Sequence, residues 1–324
     1  TGPYLLKEYD PGVKTTLDRN PNAWHGDNVA HADSHEVIAI LDDTARQSAL
    51  ISGSVDIINR PALKGIDRLK KVKGVNILAI PSNLAFTHPM RMDVPPFGNN
   101  DFRMALKLST PRQEFMDKVL FGYGVMGNDQ PLGPQFPSYD ANLKPEYDLD
   151  KAKYHLKKAG MEGVKIDLSA SNTSYGGAMD AAQLFQSHWG KIGVNLNIVR
   201  EPQDGYWTNV WNVKPFCTCY WGPRPVEDMI LSICYLSDSP WNDTLLKNAR
   251  VDELVVAARG ELDQNKRVAM YQEVQHIIAA VGGTIIPAFG TDVAAHRDTI
   301  GVSDQIGGGW EMDGGHYLKR WWKV

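Results

Sequence analysis

In the run YWGPRPVEDM, residues 220–229, Arg224 stands between Pro223 and Pro225, with Glu227 and Asp228 close behind. A guanidinium presents a planar fork that matches a carboxylate. Flanking prolines stiffen the backbone that carries it, so less entropy is lost when the fork engages an anion. The surrounding stretch, residues 204–242, gathers Trp207, Trp211, Tyr220, Trp221 and Trp241 around few charges. Large flat side chains give contact area at little rotamer cost, and Arg224, Glu227 and Asp228 can fix the charged ends of a ligand. The stretch therefore reads as a recognition surface. Two plainer readings compete with this one: such aromatics also build cores, and Arg224 can pair with Glu227 or Asp228 or stand in solvent.

Other chemistries find less support in the residue pattern. His25, His31 and His35 sit on a polar loop at spacings of six and four, which match no strong metal-ligand pattern. A solvated loop is the expectation, with no metal and no cofactor. Cys217 and Cys219 would face the same side of a strand and are awkwardly placed to bridge each other, which leaves Cys234 as the conceivable partner. Three cysteines make no disulfide scaffold, and buried free thiols are expected. A hydrolytic enzyme is the rival class, yet the chain lacks a nucleophile elbow, a phosphate-cradling GxxxxGK[ST] motif and an HExxH helix.

The positioning elements follow from length and pattern. At 324 residues the chain exceeds what one hydrophobic core usually supports, so two lobes are expected. A net charge of −4 with mixed signs gives no nucleic-acid footprint, and no apolar run approaches the ~18 residues of a membrane span. The opening residues carry no export signal. Two strands flank the turn Asp10-Pro11-Gly12. Val37 to Leu41 reads as a strand buried on both faces, followed by a helix capped at Thr44 and ended by Gly53, then a strand from Val55 to Ile58. Val75 to Ile80 is a further strand. Helical patterns cover 102–121, restarting at Pro111, and 148–159. Val164 to Leu168, the helix 178–189 and Val194 to Ile198 form another strand-helix-strand unit. Two helices cover 252–262 and 263–281, the second stopped by Gly282-Gly283. The extended segments Asn83 to Pro89 and Thr284 to Phe289 read as two crossings between lobes, an arrangement that makes a hinge.

Taken in order, GPYLLKEYDPG with RNPNAW, ARQSALISGSVDII, FRMALKLSTPRQE, LDKAKYHLKKAG, KIGVNLNI and AARGELDQNKRVAMYQEVQHII followed by IIP resemble successive signatures of one family. It is that of the extracellular solute-binding proteins of ATP-driven importers for peptides, opines and nickel. The resemblance covers essentially the whole chain. It implies an α/β, two-lobed periplasmic-binding-protein fold, with residues 1–84 and 291–324 in the first lobe, 85–290 in the second, and a ligand cleft between them. In that family a segment like 1–12 lies deep inside the first lobe, so the resemblance implies that this lobe is incomplete and that an N-terminal portion is missing.

Several further expectations rest on the resemblance. The ligand is a peptide, an opine or a related amino-acid-like solute, with a nickel or metal chelate or haem as alternatives. The partner is an ABC permease, with the missing N-terminal segment as a further partner, and the location is periplasmic or extracellular, an oxidising compartment. The segment 86–90 matches a cleft-lining strand whose backbone pairs with an extended peptide. With Phe86, His88 and Met90 from that segment, the expected ligand contacts are Trp207, Tyr220, Trp221, Arg224 and Asp228. In the family an acidic residue of the segment matching 220–229 commonly meets a peptide's amino group; here the run carries Arg224.

Overall fold

The structure, a computed structural model, describes residues 2–24, 26 and 29–324. The reading of His25 lies outside them. The chain divides into two compact units, Thr1–Pro81 with Asp292–Val324, and Ser82–Thr291.

In the first unit, β1 (Tyr4–Asp10) and β2 (Lys14–Arg19) form an antiparallel hairpin. Its turn closes through the Val13 N–H donating to Asp10 O at 3.1 Å, with Gly12 at a φ of 76° that suits glycine. Strand β3 (Ser34–Ile38) adds antiparallel to β2. This corrects the buried strand expected at 37–41: the strand lies at a sheet edge and is largely exposed. A short apolar run does not reveal whether one or both of its faces will be covered. The register puts Leu6, Tyr9, Leu17 and Val37 on one face and the ion-paired Glu8, Lys14, Asp18 and Glu36 on the other. Leu6 and Tyr9 are 63% and 65% exposed.

Helix α1 (Asp43–Ser52) is capped by Asp42, not by Thr44; the Asp42 carboxylate accepts from the Ala45 N–H at 2.7 Å. Its C-terminus closes on Gly53 at a φ of 80°. Strand β4 (Ile57–Asn59) pairs with Ala294–His296 at the end of the long strand β10 (Thr284–Arg297). Strands β3 and β4 therefore occupy different sheets, and the first expected strand-helix-strand unit does not form. A short helix α2 (Ile66–Leu69) buries Ile66 and Leu69. Strand β5 (Val75–Pro89) then carries the chain out of this unit, and β10 brings it back.

In the second unit, α3 (Asn100–Leu108) is capped by Asn99, and α4 (Arg112–Lys118) starts directly after Pro111. Strand β6 (Gly124–Met126) pairs with β10 at Ala288–Gly290. Helix α5 (Leu149–Lys158) is capped by the Asp148 carboxylate. Strand β7 (Lys165–Ala170), helix α6 (Ala178–Gly190) and strand β8 (Asn195–Arg200) make a parallel strand-helix-strand unit. Next come α7 (Tyr206–Asn209), β9 (Cys219–Trp221), α8 (Glu227–Tyr235), α9 (Ala249–Gly260) and α10 (Gln264–Val281).

Strand β5 is held between β9, paired at Ala85–Thr87, and β10. One core packs α8, α9 and α10 onto β10 through Leu231, Val255, Ile278 and Phe289. The carbonyls that end α10 are satisfied by buried cations of α3: Arg103 Nη2 donates to Val281 O at 2.7 Å, and Lys107 Nζ to Ala279 O and Gly282 O at 2.8 and 2.9 Å. Positive charge at a helix C-terminus also complements the dipole. Behind β5, Phe185 is fully buried and stacks on Phe115 and Trp189 at centroid distances of 6.2 and 5.1 Å. Phe185→Ala should lower unfolding stability by about 3–5 kcal/mol, the cost of deleting a packed aromatic ring, measured as an earlier urea midpoint.

Candidate functional site

The aromatic residues of 204–242 form a connected wall in the second unit. Tyr206 anchors one end: it is buried, and its hydroxyl donates to Thr218 O at 2.6 Å. That bond ties α7 to the segment entering β9 and sets Trp207 beside Tyr220, with centroids 5.5 Å apart. Trp211 follows at 6.3 Å from Trp207 and lies edge-on to both Trp221 and Trp241, at 5.9 and 5.8 Å. T-shaped contacts of this kind suit the ring quadrupoles. Trp207 and Trp241 remain 40% and 49% exposed, whereas Trp221 is 6% exposed. The stretch is thus core at Trp221 and open surface at both Trp207 and Trp241.

A carboxylate lies beneath the wall. Asp243 is buried, and its Oδ2 accepts from the indole N–H of Trp211 at 3.0 Å and of Trp221 at 3.2 Å. Burial outweighs these two bonds and pushes the Asp243 carboxyl up to about 6. The loop carrying it is fixed by Asn242, whose side chain donates to Leu236 O and Leu246 O at 3.1 and 2.8 Å and accepts from the Leu246 N–H at 3.2 Å. Neither Asp243 nor Asn242's structural part was read from the sequence. A buried indole N–H needs an acceptor, so several tryptophans with an acidic residue just beyond them are the signal that would have found it.

Arg224 leaves β9 through Gly222 and Pro223. Its Nη1 donates to Gly222 O and Pro223 O at 2.9 and 3.2 Å, and its guanidinium lies 5.9 Å from the Trp221 ring centroid. Among the described residues it makes no ion pair. Glu227 instead accepts from the Ser138 hydroxyl at 2.9 Å, and Asp228 pairs with Arg259 Nε at 2.7 Å and accepts from Ser232. Both carboxylates open α8, where they also complement its dipole. Asp228 is thus engaged away from Arg224.

The crossing segment lies inside the unit. Phe86 is 7% exposed, and His88 and Met90 are fully buried. His88 Nε2 lies 2.8 Å from the Tyr175 hydroxyl among Phe115 and Phe185, and burial lowers its pKa to about 3, so the ring is neutral. The side chains of His88 and Met90 are therefore closed to a ligand. Strand addition at Ala85–Thr87 is closed as well, because β9 and β10 flank β5. Strand β9 itself ends the sheet order.

Cys217, Cys219 and Cys234 are buried free thiols. Among the described residues no cluster of histidine, cysteine or carboxylate could hold a metal, and no helix is long and apolar enough to cross a membrane.

Residues 1–243 match the family model described as bacterial extracellular solute-binding proteins, family 5 Middle. The chain belongs to this family. It is 28% identical over 290 residues to the di/tripeptide-binding protein 1 of Pseudomonas aeruginosa strain UCBPP-PA14, a match that covers 86% of this chain and 53% of the relative. The chain therefore spans about half the length of the curated relatives it matches. Among solved structures, the Helicobacter pylori periplasmic binding protein DppA with the peptide STSA superposes with a TM-score of 0.87 at 21% identity, covering 99% of this chain and 62% of that one. AgaA with agropinic acid, from A. tumefaciens R10, gives 0.88 at 18%, covering 100% and 67%. These likenesses establish a family 5 periplasmic-binding-protein fold, mixed α/β, of which this chain covers part.

The raised pKa of Asp243 fixes the sign of a pH effect. Its folded pKa lies above the ordinary carboxylate value, so its contribution to stability is full at low pH and is lost as pH rises through about 6. Burial that raises the Asp243 carboxyl from the ordinary carboxylate range to about 6 costs about 3 kcal/mol at most when the group is ionised. Asp243→Asn keeps a carbonyl acceptor for the indoles and removes the buried charge. The variant should melt at a higher temperature than the wild type at pH 8, with the difference shrinking as pH falls below about 6 and vanishing only below about 4, the ordinary carboxylate range.

Proposed function

We propose that this chain is the solute-contacting part of an importer's binding protein, working on the periplasmic or extracellular side and handing its ligand to an ABC permease. The observation that carries the ligand reading is Arg224. It is the wall's cation, it makes no ion pair among the described residues, and its backbone is stiffened by two prolines. Its Nη1 is engaged by backbone carbonyls, which leaves Nε and Nη2 for an anion. The exposed faces of Trp207 and Trp241, with Tyr220, supply apolar contact beside it. A small solute with a carboxylate and an apolar or ring-like body, such as a short peptide or an opine, fits this combination. Phe86 and Trp221 act from behind as packing. Asp228, paired with Arg259, retains its other oxygen for a ligand amino group. The relatives' names, peptide-binding proteins, and a fold neighbour holding agropinic acid favour the same ligand classes.

The uncovered apolar face of the three-stranded sheet, with Leu6 and Tyr9 more than half exposed, supports a second part of the proposal: further polypeptide of the family fold packs there.

Once water is excluded, losing the guanidinium leaves the ligand's anion unpaired, at a cost of several kcal/mol. Arg224→Ala should weaken binding at least about tenfold, a change of roughly 1.4 kcal/mol or more, without lowering the melting temperature of the free protein. Arg224→Lys should recover part of the loss because it lacks the planar fork. Isothermal titration with the solute that native mass spectrometry finds on the purified protein measures both. Unchanged affinity in Arg224→Ala would remove Arg224 from the site.

A further inference from the structure

We propose that Asp243 is the positioning residue of the aromatic wall: by taking two indole N–H bonds on one carboxylate oxygen, it fixes Trp211 and Trp221 and, through them, the exposed Trp241 and Trp207. The assignment deepens the ligand reading above and rests on it for its purpose, but the geometry is that of the free protein.

The two donors come from different parts of the chain. Trp211 lies in the turn after α7, where Asn212 at a φ of 58° reverses the backbone, and Trp221 is the last residue of β9. Both N–H groups converge on Oδ2. An oxygen shared by two donors restrains both rings at once, and Trp241 is wedged between them at 5.8 and 6.0 Å. Trp207, 6.3 Å from Trp211, inherits the restraint at the other end. The acceptor is itself immobile, because Asn242 clamps its loop on both sides.

A bond to an ionised acceptor is about twice as strong as one between neutral groups, so the restraint depends on the charge of Asp243. Among the described residues, the titratable groups that face it are Cys217 just before β9, Cys219 of β9, and Cys234 and Tyr235 of α8. Burial pushes all four up, so they stay neutral through mildly acidic and neutral pH. Within the cluster, Asp243, with its pKa raised to about 6, is then the group whose charge changes in that range. Above the midpoint the carboxylate clamps both indoles. Below it, a neutral acid holds them less firmly and the outer rings loosen.

The test needs no ligand, so it is separate from the test of solute binding. Tryptophan emission and acrylamide quenching are recorded on the free chain from pH 4.5 to 8 for the wild type, Asp243→Asn and Asp243→Ala. The wild type should show one step centred near pH 6, with quenching greater on the acid side. Asp243→Asn, which keeps a neutral acceptor, should lose the step and hold at the wild type's acid-side level across the range. Asp243→Ala, if it folds, should be quenched more than either at every pH. A step of the same midpoint and size in Asp243→Asn, or a wild-type profile flat between pH 5 and 7, overturns the assignment. Because Asp243→Asn retains size and an acceptor oxygen, these outcomes decide the matter even where Asp243→Ala does not fold. A merely structural residue would change the melting temperature without abolishing the pH step.

Discussion

A carboxylate buried without a cation is costly, and Asp243, which among the described residues has no ion-pair partner, lies directly beneath the chain's densest group of aromatic rings. That constraint organises the second unit's surface. The charge is tolerable only while both indole donors point at it, so Trp211 and Trp221 cannot turn away, and the rings leaning on them cannot wander. A loop, a three-residue strand and a one-turn helix, none of them stable alone, are thereby locked into one rigid wall. Tyr206 and Asn242 secure its two ends by the same logic, each filling the bonding capacity of buried backbone groups.

Rigidity of this kind is what recognition of a small solute requires. Aromatic faces that are already fixed lose little freedom on contact, and in the proposed site the Arg224 guanidinium, held by the carbonyls of Gly222 and Pro223 and flanked by two prolines, is the group that would meet an anion. Of the carboxylates nearby, Asp228 pairs through one oxygen with Arg259, and Glu227 accepts from the neutral Ser138 hydroxyl. Membership of family 5 and the family's fold supply the setting, a solute-binding protein whose relatives are about twice as long as this chain.

Where the sequence was legible, one clear periodicity decided the outcome. The runs 164–168 and 194–198 alternate strictly and flank a helix with its own apolar stripe, and β7 and β8 form the parallel unit that this pattern implies. Pro111 divides two helices because it cannot sit within one. The run 37–41 misled because a few consecutive apolar residues fit a buried strand and an edge strand equally well. Pairing of Thr16 with Glu36 and Lys14 with Ile38 instead shifted the strand to Ser34–Ile38. The aromatic wall was visible from residue types, whereas the residue that holds it emerges only when the need of buried indole N–H groups for an acceptor is set beside the acid just beyond the last tryptophan. The matched cleft strand carried His88 and Met90 into the core because neighbours cover β5 along both edges and aromatic packing from Phe115 and Phe185 covers His88.

The most direct measurement is a side-chain amide and guanidinium NMR titration of the isotope-labelled protein with its co-purified solute. The indole N–H signals of Trp207 and Trp241 and the Nε–H of Arg224 should shift together and saturably, while that of Trp189, fully buried behind β5, stays in place. Saturable binding that leaves all three of those signals unmoved would contradict a ligand site on this wall.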